Sequence, residues 1–105
     1  MSELRVLFVT APEGDADRIV ATLVEEQLVA CGNVLPGARS TYVWKGELCK
    51  DTEAVIFMET IAPRLDETIA RLRALHPYEV PKIVVFAPER VNDDYLAWAL
   101  GSIRK

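Results

Sequence analysis

Residues that commonly catalyse reactions or bind metals are scarce in this chain. Its 105 residues include one histidine and two cysteines, Cys31 and Cys49, which are too far apart for a CxxC redox or zinc motif. The sequence also lacks GxGxxG, Walker A, HExxH and GxSxG motifs. These absences exclude the common dinucleotide, nucleotide, zinc-protease and serine-hydrolase sites. We therefore expect reduced thiols, no required cofactor and no enzyme activity.

Excess positive charge and long apolar runs are missing as well. The formal net charge is -4, whereas nucleic-acid binding relies on clustered Lys and Arg, so we expect no nucleic-acid partner. No apolar run approaches the ~20 residues that a membrane-spanning helix needs. Residues 1–5 contain no basic segment followed by a long apolar one, as a signal peptide would. The sequence thus predicts a cytoplasmic protein without a membrane partner.

The composition is that of a folded domain. Half of the residues are hydrophobic and 27% are charged, a mixture typical of globular proteins. A chain of this length is too short for two hydrophobic cores, so we expect a single domain over residues 1–105. The apolar fraction is generous for so small a domain, which indicates that part of it is buried between subunits.

The first half of the chain predicts a strand, a helix and a bent strand. Residues 4–10 form a short apolar run, and from Asp15 to about Leu28 apolar residues recur at helical spacing, with Asp15 as a possible N-cap. Residues 29–44 read as one strand with a kink at Pro36-Gly37. The strand should lie at a sheet edge, where its aromatic residues need a partner surface.

The second half completes an α+β pattern. A turn at Lys45-Gly46 and a β-rich run at 53–61 predict a long antiparallel hairpin. A helix follows from Pro63 to His76, then a strand over 82–87 and a C-terminal helix that Asn92 caps and Gly101 ends. The order βαββαβ with an added helix predicts a ferredoxin-like sandwich with an extended β2-β3 hairpin and helices 1 and 2 on one face.

His76 permits three interpretations. At a helix C-terminus its positive charge would complement the helix dipole, which is the simplest explanation of its position. As a metal ligand it could act with Cys31 or Cys49, because copper and zinc favour imidazole and thiolate. As a catalytic base it would need a geometry that the sequence does not reveal.

Four segments together resemble the signature blocks of the CutA divalent-cation tolerance family. They cover the chain in order: Val29-Ala-Cys-Gly-Asn-Val-Leu-Pro-Gly37, Ser40-Thr-Tyr-Val-Trp-Lys-Gly46, His76-Pro-Tyr-Glu-Val-Pro81 and Tyr95-Leu-Ala-Trp98. The resemblance implies a ferredoxin-like subunit, similar to that of PII signal proteins, that assembles into a homotrimer. It also implies a role in tolerance to divalent cations, notably copper.

The resemblance also implies where functional residues lie. Family members place the positions of Cys31, Trp44, His76, Tyr78 and Trp98 near clefts between subunits. His76 and Cys31 are then the candidate ligands for copper or another divalent metal. A binding site with so few ligands is expected to be weak.

Four positions depart from the family pattern. Val9 and Leu75 stand where some members offer a thiol and a second histidine as copper ligands. Glu59 and Lys82 have charges opposite to those usual in the family at these positions. We read this as one ion pair with reversed polarity, which predicts that Glu59 and Lys82 lie close together and also line the intersubunit cleft.

Two further functions compete with this interpretation. A PII-like sensor would bind an organic anion in the intersubunit cleft, with Arg39 or Lys82 as the basic group. An acylphosphatase-like enzyme would need a phosphate-binding loop, which we do not find in the sequence.

Overall fold

The computed structural model describes residues 2–104, which form one antiparallel sheet and three α-helices. The sheet has the strand order β2-β3-β1-β4, and this confirms the ferredoxin-like fold. The elements are β1 (Leu4–Ala11), α1 (Glu13–Glu25), β2 (Cys31–Trp44), β3 (Glu47–Ile61), a 3-10 turn (Ala62–Arg64), α2 (Leu65–Leu75), β4 (Ile83–Phe86) and α3 (Asp93–Ser102).

The main core lies between the sheet and helices α1 and α2. Leu7 and Val9 of the central strand β1 are fully buried there because alternate residues of a strand point to the same face. Ile19 and Leu23 of α1 and Leu72 of α2 pack against that face. Helices 1 and 2 therefore share one side of the sheet, as predicted.

Helix α3 packs on the opposite side, at one end of the sheet. Its Ala99, followed by Ile103 at the helix C-cap, forms a second buried cluster with Leu4 and Ile61. Leu4 and Ile61 are directly paired across β1 and β3, so α3 covers the end of the sheet where β1 begins.

Residues 2–104 leave the remainder of that side uncovered, and we call it the open face. Phe8 and Phe57 stack at its centre with ring centroids 5.2 Å apart. Its large apolar side chains are 36 to 51% exposed, namely Leu35, Phe57, Val84 and Phe86. The open face thus presents aromatic and aliphatic surface that a monomer would leave in water.

The β2-β3 hairpin extends well past β1. β3 pairs with β1 only over residues 54–61, whereas β2 pairs with β3 out to Trp44 and Glu47. The predicted kink is a register shift between Leu35 and Ala38. At the tip, Lys45 and Gly46 have φ angles of 51° and 81°, the conformation of a type I′ turn.

The predicted bounds of α1 are wrong at both ends. The helix begins at Glu13 with Pro12 at the N-cap position, so Asp15 lies in the first turn instead of capping it. It ends at Glu25, before the predicted Leu28, because Gln27 adopts a left-handed conformation with φ 59°. Leu28 N–H then bonds to the Leu23 carbonyl and Gln27 N–H to that of Val24, the pattern of a Schellman motif.

Other element ends differ by a few residues. β3 begins at Glu47, six residues before the predicted start, because the hairpin ladder continues to the turn. β4 is shorter than predicted, and α3 passes through Gly101 to Ser102. Asn92 occupies the N-cap position of α3, but its side-chain amide donates to Asp94 and makes no capping bond.

Candidate functional site

A cleft of about 560 Å³ lies between the distal hairpin and the segment that leads from α2 to β4. Three of the predicted site residues line it, namely Trp44, Tyr78 and Lys82. The hairpin supplies its other wall, where Tyr42 and Trp44 share a strand face because they are two residues apart. The cleft is an indentation within one chain.

Glu53 is a buried carboxylate in the lining of the cleft. Only 5% of Glu53 is exposed, and Tyr78 Oη donates a hydrogen bond to Glu53 Oε2 at 2.7 Å. Burial, followed by this bond to Glu53, raises the pKa of Tyr78, so the phenol stays a donor at neutral pH. Nearby, Tyr42 donates to Asp51, and that bond raises the pKa of Tyr42 to about 12.

His76 is buried beside this cleft and is held by both ring nitrogens. The Tyr78 backbone N–H donates to His76 Nδ1 at 3.2 Å, so Nδ1 is unprotonated. Nε2 lies 2.8 Å from the Thr10 carbonyl and therefore holds the proton. The ring is 4.8 Å from the Tyr78 ring, and it fixes the backbone that presents Tyr78 to Glu53.

This geometry corrects the simplest interpretation of His76. The hydrogen bonds define a neutral imidazole, not a cation that complements the α2 dipole. It also limits metal binding, since Nδ1 could coordinate a metal only after losing the Tyr78 N–H. His76 therefore acts as a positioning residue in this structure.

A second group of predicted site residues lies near α3, away from the cleft. Glu59 faces Cys31 directly across β2 and β3. Tyr95 Oη donates to Glu59 Oε1 at 3.0 Å, and the Tyr95 ring lies 5.7 Å from that of Trp98. Burial raises the pKa of Glu59, although the bond from Tyr95 opposes that effect.

The two proposed metal ligands belong to different groups. His76 contacts Thr10 of β1. Cys31 is paired with Glu59 of β3, and Glu59 is paired in turn with Val6, which lies four residues before Thr10 on β1. Strand geometry separates the α-carbons of Cys31 and Thr10 by about 16 Å. Within residues 2–104 there is no cluster of three or more His, Cys, Asp or Glu side chains that could hold a metal ion.

The predicted proximity of Glu59 and Lys82 is wrong within one chain. Glu59 pairs with Val6, whereas Ile83, next to Lys82, pairs with Val9. The backbones of Glu59 and Ile83 are therefore about 14 Å apart, because three residues along β1 and two strand spacings separate them. The Lys82 ammonium instead lies 4.2 Å from the Phe8 ring centroid.

Sequence analysis did not name as site residues two residues that organise these groups, Glu53 and Tyr95, although Tyr95 stands in the fourth family block. Glu53 was assigned only to the start of a strand, yet it shares a face with Phe57, four residues later. That periodicity could have placed it on the open side of the sheet. Its bond to Tyr78 had no sequence signal, because 25 residues separate the two.

The fold and the long hairpin define a class: a small α+β protein with a ferredoxin-like fold. Residues 5–102 match the family described as CutA1 divalent ion tolerance protein. The chain belongs to the CutA divalent-cation tolerance family. Its recognition from the four sequence blocks is thereby confirmed.

Individual relatives match over nearly their whole length. The divalent-cation tolerance protein CutA of Thermus thermophilus is 39% identical over 89% of this chain and 91% of its own. The PII-like protein CutA from Nostoc superposes with a TM-score of 0.89 and 31% identity over 95% and 97% of the two chains. The periplasmic divalent cation tolerance protein CutA from Archaeoglobus fulgidus gives 0.91 and 28% over 96% and 99%.

Across residues 2–104, none of the helices combines the length and the apolar character that crossing a bilayer requires.

Proposed function

We propose that this chain works as a homotrimeric, non-catalytic divalent-cation tolerance protein that binds copper or another divalent metal weakly. The observation that supports this most directly is the match of the CutA1 family to residues 5–102.

The open face supports self-association. Leu35, Phe57, Val84 and Phe86 are on one side of one sheet, and all are at least 36% exposed. β2 and β4 are the two edge strands, so their unpaired backbone groups are available to a neighbouring copy. A second copy of this chain would cover both features.

Weak metal binding follows from the small number of donors in each group. Cys31 has one potential co-ligand directly opposite, the Glu59 carboxylate, and His76 is engaged by Tyr78 and Thr10. Structural zinc sites use four ligands. A thiolate with a carboxylate, or an imidazole alone, supplies half of that or less, so affinity should be low and should fall with acidification.

Zinc titration by calorimetry tests the metal part of this proposal. A Cys49→Ser background removes the second thiol, so that Cys31→Ser and His76→Gln can be compared with an unchanged parent. We expect weak binding in the parent and a further loss in each variant. A tight stoichiometric site would contradict weak binding. Binding that neither substitution affects would place the metal elsewhere.

Light scattering on the same parent tests the assembly. A trimeric mass at micromolar concentration is expected, and a folded monomer would contradict the proposal.

The compartment is proposed to be the cytoplasm, because the two thiols are free. Fractionation of the native host would test this, since one relative is named periplasmic.

A second candidate function is small-ligand sensing, which the 560 Å³ cleft and the likeness to the PII-like protein from Nostoc favour. Typical small-molecule sites measure about 300 to 1,000 Å³. An organic anion would rely on Lys82, which lines this cleft, whereas Arg39 lines a separate one. A thermal-shift screen with organic anions tests this version.

A further inference from the structure

We propose that the cleft between the distal hairpin and the His76–Lys82 segment binds a small organic cation with an ammonium group. The inference goes beyond the proposed function and does not depend on a bound metal. It rests on a buried carboxylate, on the balance of charge and on the aromatic walls of the cleft.

Glu53 is the carboxylate that would receive the ammonium group. Glu53 lines the cleft although only 5% of the residue is exposed. Among residues 2–104 its hydrogen bond comes from the Tyr78 hydroxyl to Oε2, which leaves Oε1 to a ligand. A carboxylate that is so far removed from water is stabilised most by a cation that also donates hydrogen bonds.

The charges around the cleft favour a cation over an anion. Glu53 and Glu79 line it together with a single ammonium group, that of Lys82. Lys82 does not form an ion pair with Glu53 within 4.0 Å in the described part of the chain, and its Nζ lies over the Phe8 ring. Asp51 adds a further negative charge behind Tyr42.

The aromatic walls suit an organic cation better than a metal ion. Tyr42, Trp44 and Tyr78 line the cleft, and the faces of such rings attract ammonium groups. Trp44 already has the ammonium group of Lys45 at 5.8 Å from its ring centroid. Divalent metals need several oxygen, nitrogen or sulfur donors, and the described residues hold no such cluster.

Calorimetric titration of the full chain at pH 7 and constant ionic strength tests the proposal. The probes are n-butylammonium chloride, tetramethylammonium chloride and, as the matched anion, sodium butyrate. We expect both ammonium salts to bind and butyrate not to bind. In NMR spectra the indole N–H of Trp44 should shift, whereas that of Trp98 should stay unchanged.

Glu53→Gln is the decisive variant, because glutamine can still accept the Tyr78 hydrogen bond but has no charge. We expect its affinity for n-butylammonium to fall about tenfold. Glu25→Gln makes the same charge change on the exposed part of α1 and should bind like the wild type. If Glu53→Gln does not fold, Trp44→Leu, at a position 41% exposed, provides the second test through loss of binding.

Three results would overturn the proposal. The first is an absence of ammonium binding to the wild type, and the second is equal binding of butyrate. The third is unaltered affinity in Glu53→Gln. If the wild type binds no probe and Glu53→Gln lowers the assembled mass, a lysine of a second copy fills the cleft in place of a free cation.

Discussion

Tyr78 and Tyr42 make the same kind of hydrogen bond in different surroundings. Each phenol donates to a carboxylate on the hairpin, Tyr78 to the buried Glu53 and Tyr42 to the exposed Asp51. An acceptor in water replaces a lost partner with solvent, whereas a buried one does not. The two residues therefore form a matched pair for measuring what burial adds.

Tyr78→Phe should lower the free energy of unfolding by about 1 to 3 kcal/mol, because the Glu53 carboxylate loses its donor. Tyr42→Phe should cost clearly less, because water can replace the lost donor at the exposed Asp51. Urea denaturation at one fixed protein concentration measures both. Equal losses in the two variants would show that Glu53 is hydrated despite its low exposure.

Glu59 should make stability depend on pH in the opposite sense to an ordinary ion-paired carboxylate. Burial raises its pKa in the folded state above the ordinary value of a glutamate, so the folded protein binds the proton more tightly than the unfolded chain. Stability from this group is therefore present at low pH and is lost as the pH rises through the folded pKa.

Glu59→Gln should remove the loss of stability that follows ionisation of Glu59, while its amide oxygen still accepts the hydrogen bond from Tyr95. At pH 7 we expect a gain of at most about 1 kcal/mol, or a few degrees in melting temperature, since Glu59 is only partly buried. At pH 4 the variant and wild type should differ less. A variant that is less stable at pH 7 would show that the ionised carboxylate has a cationic partner in the assembly.

At the scale of elements, two glycines separate turn geometry from helix propensity. Gly46 has φ 81° in the hairpin turn, and Gly14 lies in the first turn of α1 with open space where a Cβ would be. Gly46→Ala should cost about 1 kcal/mol because L-residues disfavour positive φ. Gly14→Ala should stabilise by up to about 1 kcal/mol. Thermal melts of both variants check the opposite signs.

Strand and helix identity could be predicted because hydrophobic periodicity is local information. Ile19 and Leu23 are at helical spacing in the sequence and are both buried in the structure. The end of α1 could not be predicted, because the left-handed Gln27 has no sequence marker such as glycine. The start of β3 was missed since its first residues are mostly polar and mostly exposed and have little apolar pattern.

The candidate site was predictable only in part, for reasons of distance along the chain. The family blocks identified Trp44 and Tyr78, and a departure from the family pattern identified Lys82. The structure brings these three residues to one cleft. They could not reveal that Cys31 and Glu59 lie at another place on the sheet. The assumed Glu59–Lys82 pair failed because register along β1, and not strand adjacency alone, decides which side chains meet.

At the scale of the molecule, the chain is more extended than a monomer of its length should be. Its radius of gyration is 14.3 Å, whereas about 12.9 Å is expected for a compact domain of this size. Its accessible surface is 6460 Å², against about 5,900 Å² for a monomer of this mass. The projecting hairpin and the open face account for such an excess, and both could be buried against a second copy.

We therefore expect Phe86→Lys to break the assembly. Phe86 is half-exposed on the edge strand β4, on the open face, and a stable interface buries about 800 Å² on each partner with few charges at its centre. The matched control is Val24→Lys, which adds the same charge at a 38% exposed position on α1. Light scattering should give a reduced mass for Phe86→Lys and an unchanged trimer for Val24→Lys. If both variants stay trimeric, the open face is not the contact surface, and the hairpin must hold the subunits together.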